Sequence, residues 1–275
     1  ATAVAVSAQD MAQATETYNN GAMALQAGNN TEALENFKAA LTMAEACGEE
    51  GAEMVNNCKE YIPKIMFNVA KESIKEGNYD KGIAEIDEAV AQAKEYGVTD
   101  VVEDAETLKP QVLMNKANDL LKTKNLDGAI AAYNDLLALN PANGTAQLRL
   151  GMAYAQKGDT ANAETAYLAA AANGQEKAAN KQLANMYLKK AQAALKGQKY
   201  ADAYDAAMKS NSFVESGNAC RLRNSARTKR QTRLSSSSSW SLRTTRRLMT
   251  SGALLRFPTR KPETRQRQSS TTSRF

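Results

Sequence analysis

The sequence predicts an all-α fold: a right-handed α-solenoid of about five stacked helix-turn-helix units, followed by an irregular or disordered basic C-terminal tail. The first observation is a constant interval, because Ala129 and Ala163 are 163 − 129 = 34 residues apart, as are Tyr133 and Tyr167. An internal period of this length is typical of a stacked repeat. The second is composition: only 6% of residues are aromatic and alanine is abundant, so the core must consist of many thin layers.

The first unit is predicted over residues 10–41. Its second helix carries Ala33, Phe37, Ala40 and Leu41 at a spacing that puts all four on one face. Glycine and asparagine at residues 28–30 supply the left-handed residue and the cap that a turn between two helices needs.

The second unit has Ile65, Val69 and Ile74 on its first helix, a turn at residues 77–80, and Gly82 and Ile86 on its second. Its offset from the first unit is 82 − 33 = 49 residues, and the third unit follows at 129 − 82 = 47. Both exceed 34. The excess lies in residues 43–61 and 91–112, which we interpret as helices extended by about one turn plus longer connections through 48–51 and 97–100.

The third and fourth units contain the constant interval, and the fourth turns at residues 158–160. In the fifth unit Leu183, Tyr187, Ala191 and Leu195 step by four along the first helix, residues 197–200 form the turn, and residues 203–208 the second helix. The offset of 203 − 163 = 40 indicates a small insertion at residues 172–174. Five hairpins therefore cover residues 10 to about 211.

The motif residues of the third and fourth units resemble those of the tetratricopeptide repeat family. The family pattern is W-x2-L-G-x2-Y, then A-x3-F, then P. The fourth unit matches it with Leu150, Gly151, Tyr154, Ala163 and Tyr167, and has Gln147 in the aromatic position. The third unit matches it with Ala117, Leu120, Ala129, Tyr133 and Pro141. On these residues the chain is identified as a member of the family; the expectation that it is bacterial and exported rests on the N-terminal residues described below.

This resemblance implies a concave groove, lined by the first helix of each unit, that holds an extended or helical peptide. The implied groove positions are Tyr18, Ala22 and Leu25, then Phe67, Lys71 and Ile74, then Met114, Asn118 and Leu121, then Leu148, Arg149 and Met152, and finally Leu188, Gln192 and Leu195. Some family members clamp a terminal carboxylate with lysine and asparagine. Tyr18 and Ala22 occupy the first two of those positions here, which argues against a chaperone-tail receptor.

Residues 1–9 are small and apolar and end near a Val-Ser-Ala sequence at residues 6–8. They resemble the remnant of a secretory signal peptide, which predicts a periplasmic or secreted bacterial protein. The alternative is the frayed first turn of an alanine-rich helix. No segment approaches the 18 uninterrupted apolar residues typical of a membrane-spanning helix, so no membrane span is expected.

The three cysteines, Cys47, Cys58 and Cys220, are too few for a disulfide scaffold, and the chain has no histidine to complete a zinc site. If the chain is exported, Cys47 and Cys58 on facing helices of one hairpin are candidates for a disulfide. In the other interpretation both are small buried apolar residues.

The formal charge of +5 is the sum of two unlike parts. Residues 1–218 carry 20 Lys and Arg against 29 Asp and Glu, a net −9, whereas residues 219–275 carry 15 against 1, a net +14. We therefore divide the chain into residues 1–9, a helical repeat domain over 10–218, and a basic Arg/Ser/Thr-rich tail over 219–275. The tail is either a disordered segment or the product of a shifted reading frame, since alanine codons read one base out encode Arg, Ser, Gly and Cys.

No catalytic constellation is present. Without histidine there is no Ser-His or Cys-His pair, no phosphate-binding loop motif occurs, and the acidic residues are scattered over helix faces. We expect a non-catalytic scaffold that binds a protein or peptide partner, with no cofactor, no metal and no small-molecule substrate. The alternative is binding of a polyanion, either nucleic acid or an anionic membrane, through the basic tail. Nucleic acid is a partner only if the tail is genuine.

Overall fold

The structure is a computed structural model that describes the backbone of residues 2–214 and 217–250 and the side chains of residues 10–214 and 218–236. Ten helices pair in chain order into five antiparallel hairpins, and an eleventh helix follows. The pairs are α1 (Thr2–Gln26) with α2 (Asn30–Ala46), α3 (Ala52–Lys75) with α4 (Tyr79–Tyr96), α5 (Thr99–Lys122) with α6 (Leu126–Leu139), α7 (Gly144–Lys157) with α8 (Thr160–Ala170), and α9 (Glu176–Lys196) with α10 (Tyr200–Phe213); α11 covers Gly217–Thr250. The predicted all-α solenoid is confirmed.

The curvature of the array follows from which helices touch. Each helix packs on its hairpin partner and on the next helix in the chain. In addition, the first helices of successive pairs contact one another, α3 with α5, α5 with α7 and α7 with α9, whereas the second helices make no comparable contacts over the described residues. The first helices are therefore closer together and form the inner surface of the array.

The turns lie where the sequence predicts them. The side chains of Asn29, Asn125, Asn143 and Asp159 each accept a hydrogen bond from the backbone N–H three residues later and so cap the helix that follows. The backbone reverses through a left-handed residue, such as Gly158 at φ 88°. Asn29, Asn125 and Asp159 lie in the turns within a pair, whereas Asn143 lies in the connection between α6 and α7.

The two long offsets come from extended first helices. Both α3 and α5 have 24 residues, and each contains a proline, Pro63 or Pro110, as its twelfth residue. Proline is common at the first position of a helix, so a repeat unit of standard length would start at this residue. Each helix begins well before it. The extension is therefore close to three turns, longer than the single turn expected. The connections are short: a 3-10 turn at Gly48–Gly51 and the residues Gly97 and Val98.

The predicted insertion before the fifth unit is a π-helical turn at Ala171–Gln175. Two residues in it leave the helical region, Asn173 at φ −109° and Gly174 at φ 84°. Asn173 Nδ2 donates to Gln147 Oε1 at 3.0 Å and to the carbonyl oxygen of Ala169 at 3.1 Å. The kink between α8 and α9 is therefore held by a polar network that reaches back to α7.

The cysteines are unpaired. Cys47 follows α2 and Cys58 lies in α3, so they belong to successive hairpins and not to one hairpin, as the sequence suggested. Cys58 is fully buried, and burial raises the pKa of its thiol to about 11. Cys58 thus acts as a small core residue, while Cys47 is half-buried.

The structure describes the two ends of the chain only in part. Residues 2–9 continue the backbone of α1, and their side chains lie outside the described residues, so the signal-peptide interpretation stays a prediction. The expectation of an irregular tail is wrong over residues 217–250, which form α11. Ala219 and Ala226 are buried and Leu222 is half-buried, so a short apolar stripe at helical spacing packs α11 on α9 and α10. The tail predicted over residues 251–275 lies outside the described residues.

None of the helices, over the part of the chain that is described, is both long and apolar enough to cross a membrane.

Candidate functional site

The inner surface formed by α3, α5, α7 and α9 is the candidate site. Twelve of the fifteen predicted groove positions are half-buried, as expected of side chains that pack at their base and reach solvent at their tip. They are Tyr18, Ala22, Leu25, Lys71, Ile74, Met114, Asn118, Leu148, Arg149, Met152, Leu188 and Leu195. Gln192 is exposed, and Phe67 and Leu121 are buried.

Phe67 belongs to the core and not to the groove. It is 3% exposed and packs in a cluster with Ile86, Val98 and Val101. Val98 immediately precedes α5, and Val101 lies in its first turn, in the part that exceeds a repeat of standard length. Lys71 covers the outer side of the ring, with its Nζ 4.2 Å from the ring centroid. The extension of α5 thus covers a position that a standard repeat would leave open.

Leu121 is also a core residue, at 9% exposed. It lies at the end of α5 in the cluster that contains Ala129 of α6 and Leu150 of α7. Because α7 packs on this end of α5, Leu121 is covered by the following unit. Because Leu121 belongs to the core, Met114 and Asn118 remain as the groove positions of α5.

A polar cluster forms where α5, α6 and α7 meet. The hydroxyl of the fully buried Tyr133 donates to Asn118 Oδ1 at 2.8 Å. Burial raises the pKa of Tyr133 to about 12, and the positive charge of Arg149 opposes that rise. Arg149 is half-buried and has no ion pair or hydrogen bond with any other described residue. Tyr133 thus links the two: its hydroxyl holds the Asn118 side chain, and the charge of Arg149 acts on it.

Apolar side chains surround this cluster. Met114 packs against the core that α5, α6 and α7 share, and Leu148 and Met152 pack against the core around Tyr167. All three are half-buried. Methionine is flexible and polarisable and adapts its contacts to different partners. The arrangement combines adaptable apolar contacts with one cation and one amide.

The first and fifth units contribute differently. Tyr18 packs edge-on against Phe37 with 5.0 Å between ring centroids, and Leu25 packs on the same core. Over the described residues α1 makes no contact with α3 comparable to those among the later first helices, so these residues stand apart from the continuous inner surface. At the other end, Leu188 lines a cavity of about 550 Å³ with Phe213 and Val214.

The acidic residues that the sequence shows scattered over helix faces are not all on the surface: Glu85 and Glu164 are half-buried. Glu164 accepts hydrogen bonds from Tyr187 at 2.5 Å and Lys209 at 2.8 Å, which tie α8 to α9 and α10. No group of three or more His, Cys, Asp or Glu suited to holding a metal occurs among the described residues.

Comparison with known proteins supports this architecture. Residues 114–181 match the family model described as Tetratricopeptide repeat. That segment includes the motif residues of the third and fourth units and the Asn118–Arg149 cluster. This part of the chain is therefore similar to tetratricopeptide repeats. No curated protein matches it.

Several solved structures are similar to the chain at low sequence identity. They include a tetratricopeptide repeat protein from Parabacteroides merdae (15% identity over 79% of this chain and 73% of that one, TM-score 0.32) and a TPR repeats protein from Bacteroides fragilis (14%, 78% and 98%, TM-score 0.35). A third is the TPR2AB domain of yeast Sti1 in complex with pHSP90 (14%, 79% and 98%, TM-score 0.28).

Proposed function

We propose that the chain is a non-catalytic scaffold that binds a peptide segment of a protein partner on the inner surface of α5, α7 and α9. The observation that carries the proposal is Arg149, a half-buried cation with no ion pair or hydrogen bond among the described residues. Its charge acts on Tyr133, whose hydroxyl is hydrogen-bonded to Asn118 of the neighbouring first helix. Holding a cation in a partly buried place without a counter-ion costs free energy. A bound anionic or carbonyl group would recover that cost.

The chemistry of the cluster favours a particular kind of peptide. Tyr133 engages the oxygen of the Asn118 side chain, so the amide nitrogen retains two N–H donors for a ligand. The Arg149 guanidinium offers a fork of donors that suits a carboxylate. Met114, Leu148 and Met152 offer apolar contacts on either side. We therefore expect a peptide with an acidic residue flanked by apolar residues.

The test begins with a ligand selected on the protein itself. Peptides are selected from a random library on the immobilised chain, and a selected peptide is then titrated by fluorescence anisotropy. Arg149→Gln is expected to weaken binding about tenfold or more, the usual effect of losing a hydrogen bond to a charged group. Met152→Ala is expected to weaken it several-fold.

The matched controls are Glu35→Ala on α2 and Glu88→Ala on α4, both exposed residues of second helices. Each variant is checked for unchanged helical content and melting temperature. Binding that is equally strong in the Arg149 and Met152 variants as in the controls would refute the proposal.

A further inference from the structure

The last helix of the chain, α11, carries many cations and no acid over residues 218–236, whose side chains the structure describes. The cations are Arg221, Arg223, Arg227, Lys229, Arg230 and Arg233. None of them forms an ion pair with another described residue. Residues 1–218 carry a net charge of −9, so positive charge is concentrated at one end of the molecule.

Most of these cations lie beyond the packed part of α11. Ala226 is the last buried residue of the helix among those described, and every residue over 227–236 is exposed. Arg233 Nη1 donates to the carbonyl oxygen of Gln198, in the turn between α9 and α10, at 3.5 Å. From residue 227 to residue 236 the helix therefore runs along the margin of the array and offers most of its circumference to a partner.

The order of side chains in this open stretch argues against a membrane surface as the partner. A helix that lies in the interface of a bilayer needs an apolar face opposite its cations. Leu234 is the only large apolar residue over 227–236, and it follows Arg230 by four residues and Arg227 by seven. These spacings put the leucine on the same face as the two arginines. Residues 227–236 thus have no separate apolar face.

The same order fits the major groove of double-helical DNA, which is wide enough to admit an α-helix. Arg227, Arg230 and Arg233 are three residues apart, and Lys229 lies between the first two. At 3.6 residues per turn the four cations spread over about 160° of the helix circumference. A helix in the groove can therefore direct cations to both phosphate strands, and arginine pairs with a phosphate through two parallel hydrogen bonds.

Other nucleic acids fit this surface less well. Proteins that bind single strands usually stack the bases on aromatic side chains, and residues 218–236 contain none. The major groove of double-helical RNA is deep and narrow, so side chains on a helix reach it poorly.

We propose that residues 227–236 of α11 bind double-helical DNA through its phosphates, in and beside the major groove. The contacting cations are Arg227, Lys229, Arg230 and Arg233. Contacts to phosphates carry no sequence information directly, so binding does not depend on base sequence. The acidic array is repelled by the same phosphates, which confines the contact to α11. This surface is separate from the proposed peptide groove.

The test titrates the full chain into a fluorescently labelled DNA duplex of mixed sequence and follows anisotropy at several salt concentrations. The logarithm of the affinity should fall with the logarithm of salt concentration with a slope of about −0.9 per neutralised phosphate, or about −4 for four cations. Single-stranded DNA of the same length and vesicles containing phosphatidylserine should both bind more weakly than the duplex.

The test variant replaces three exposed cations of α11 by glutamine: Arg227→Gln, Lys229→Gln and Arg230→Gln. Glutamine is a good helix former, so α11 should remain folded, which an unchanged melting temperature checks. Duplex binding should weaken about tenfold or more, and the salt slope should become shallower by about three.

A matched control removes the same charge from three exposed positions of α9: Lys177→Gln, Lys181→Gln and Lys189→Gln. It should change duplex binding little. Absence of duplex binding, equal weakening in the two triple variants, or tighter binding of single-stranded DNA or of the vesicles than of the duplex would each overturn the proposal.

Discussion

Buried tyrosines opposite small residues set the distance between the two helices of a pair. A Cβ atom on Gly151 of α7 would lie 2.6 Å from Cδ1 of Tyr167 on α8, so the ring occupies the space that the glycine leaves. Tyr167 is 2% exposed and Tyr133 is fully buried. The alanine and tyrosine positions that repeat in the sequence therefore have a direct packing role.

The first prediction concerns this packing. Tyr167→Ala should lower the free energy of unfolding by about 3 kcal/mol or more, the usual cost of truncating a buried aromatic residue. Its neighbour Leu168 is 46% exposed, so Leu168→Ala should cost less than about 1 kcal/mol. Urea unfolding followed by circular dichroism measures both, and similar losses for the two variants would contradict the packing described.

The second prediction concerns alkaline pH. Burial raises the pKa of Cys58 from 9.0 to about 11 and that of Tyr167 from 10.0 to about 12. A raised folded-state pKa means that the unfolded chain loses these protons first as pH rises. Stability should therefore be unaffected by these groups below pH 9 and should fall as pH rises from 9 towards 12.

The measurement is the melting temperature of the chain and of Cys58→Ala across that alkaline range. The variant lacks one of the groups, so its melting temperature should fall less steeply with pH between 9 and 11. Parallel curves for the two proteins would show that the thiol keeps an ordinary pKa.

At the scale of elements, the kink between α8 and α9 explains why Gln147 stands where the family has an aromatic residue. Gln147 Nε2 donates to the carbonyl oxygen of Pro141 at 2.7 Å, and its Oε1 accepts from Asn173 in the π-helical turn. Gly144, at the start of α7, lies so close to this turn that a Cβ atom would be 2.1 Å from the carbonyl oxygen of Asn173. The fourth and fifth units are joined here by backbone contact and polar side chains.

The third prediction uses two glycines as a matched pair. Gly144→Ala should lower the free energy of unfolding by at least about 2 kcal/mol, because the new methyl group meets backbone that cannot move aside. Gly197 has φ −77°, and a Cβ atom there would lie 3.5 Å from its nearest neighbour, so Gly197→Ala should be neutral or slightly stabilising. Denaturant unfolding of the two variants compares them, and equal effects would contradict the close approach at Gly144.

The helix pairs, their turns and the insertion before the fifth unit could be predicted, because caps and helical spacing are local signals. The lengths of α3 and α5 could not be predicted. Each helix has a proline as its twelfth residue, and in sequence a proline usually indicates the first turn of a helix. The same unpredicted extension explains why Phe67 was predicted in the groove. The residues that pack with it include some at the start of α5. The pairing of Glu164 with Lys209 depends on residues 45 positions apart, which no local pattern reveals.

At the scale of the whole molecule, α11 covers the last pair of the array. A stacked array needs a terminal element with one packed face and one polar face. Ala219, Leu222 and Ala226 form the packed face, and exposed residues such as Arg221 and Arg227 form part of the other. The basic residues of this segment therefore coexist with a capping role.

The fourth prediction tests that role. Ala226→Asp should lower the melting temperature, because it places a charge in a fully buried position against the preceding helices. Arg227→Asp introduces the same side chain at the adjacent exposed position and should change it little. Thermal unfolding by circular dichroism compares the two, and a harmless Ala226→Asp would mean that α11 does not cap the array.

Every first helix from α3 onward contributes to the inner surface, and Arg149, which forms no ion pair among the described residues, underlies the proposed scaffold function. The most direct test is hydrogen–deuterium exchange of the chain with and without a peptide selected on it. Binding in the groove predicts slower exchange in α5, α7 and α9, around Asn118, Arg149 and Leu188, with α6 and α8 unchanged. Slower exchange confined to α6 and α8 would contradict the proposal.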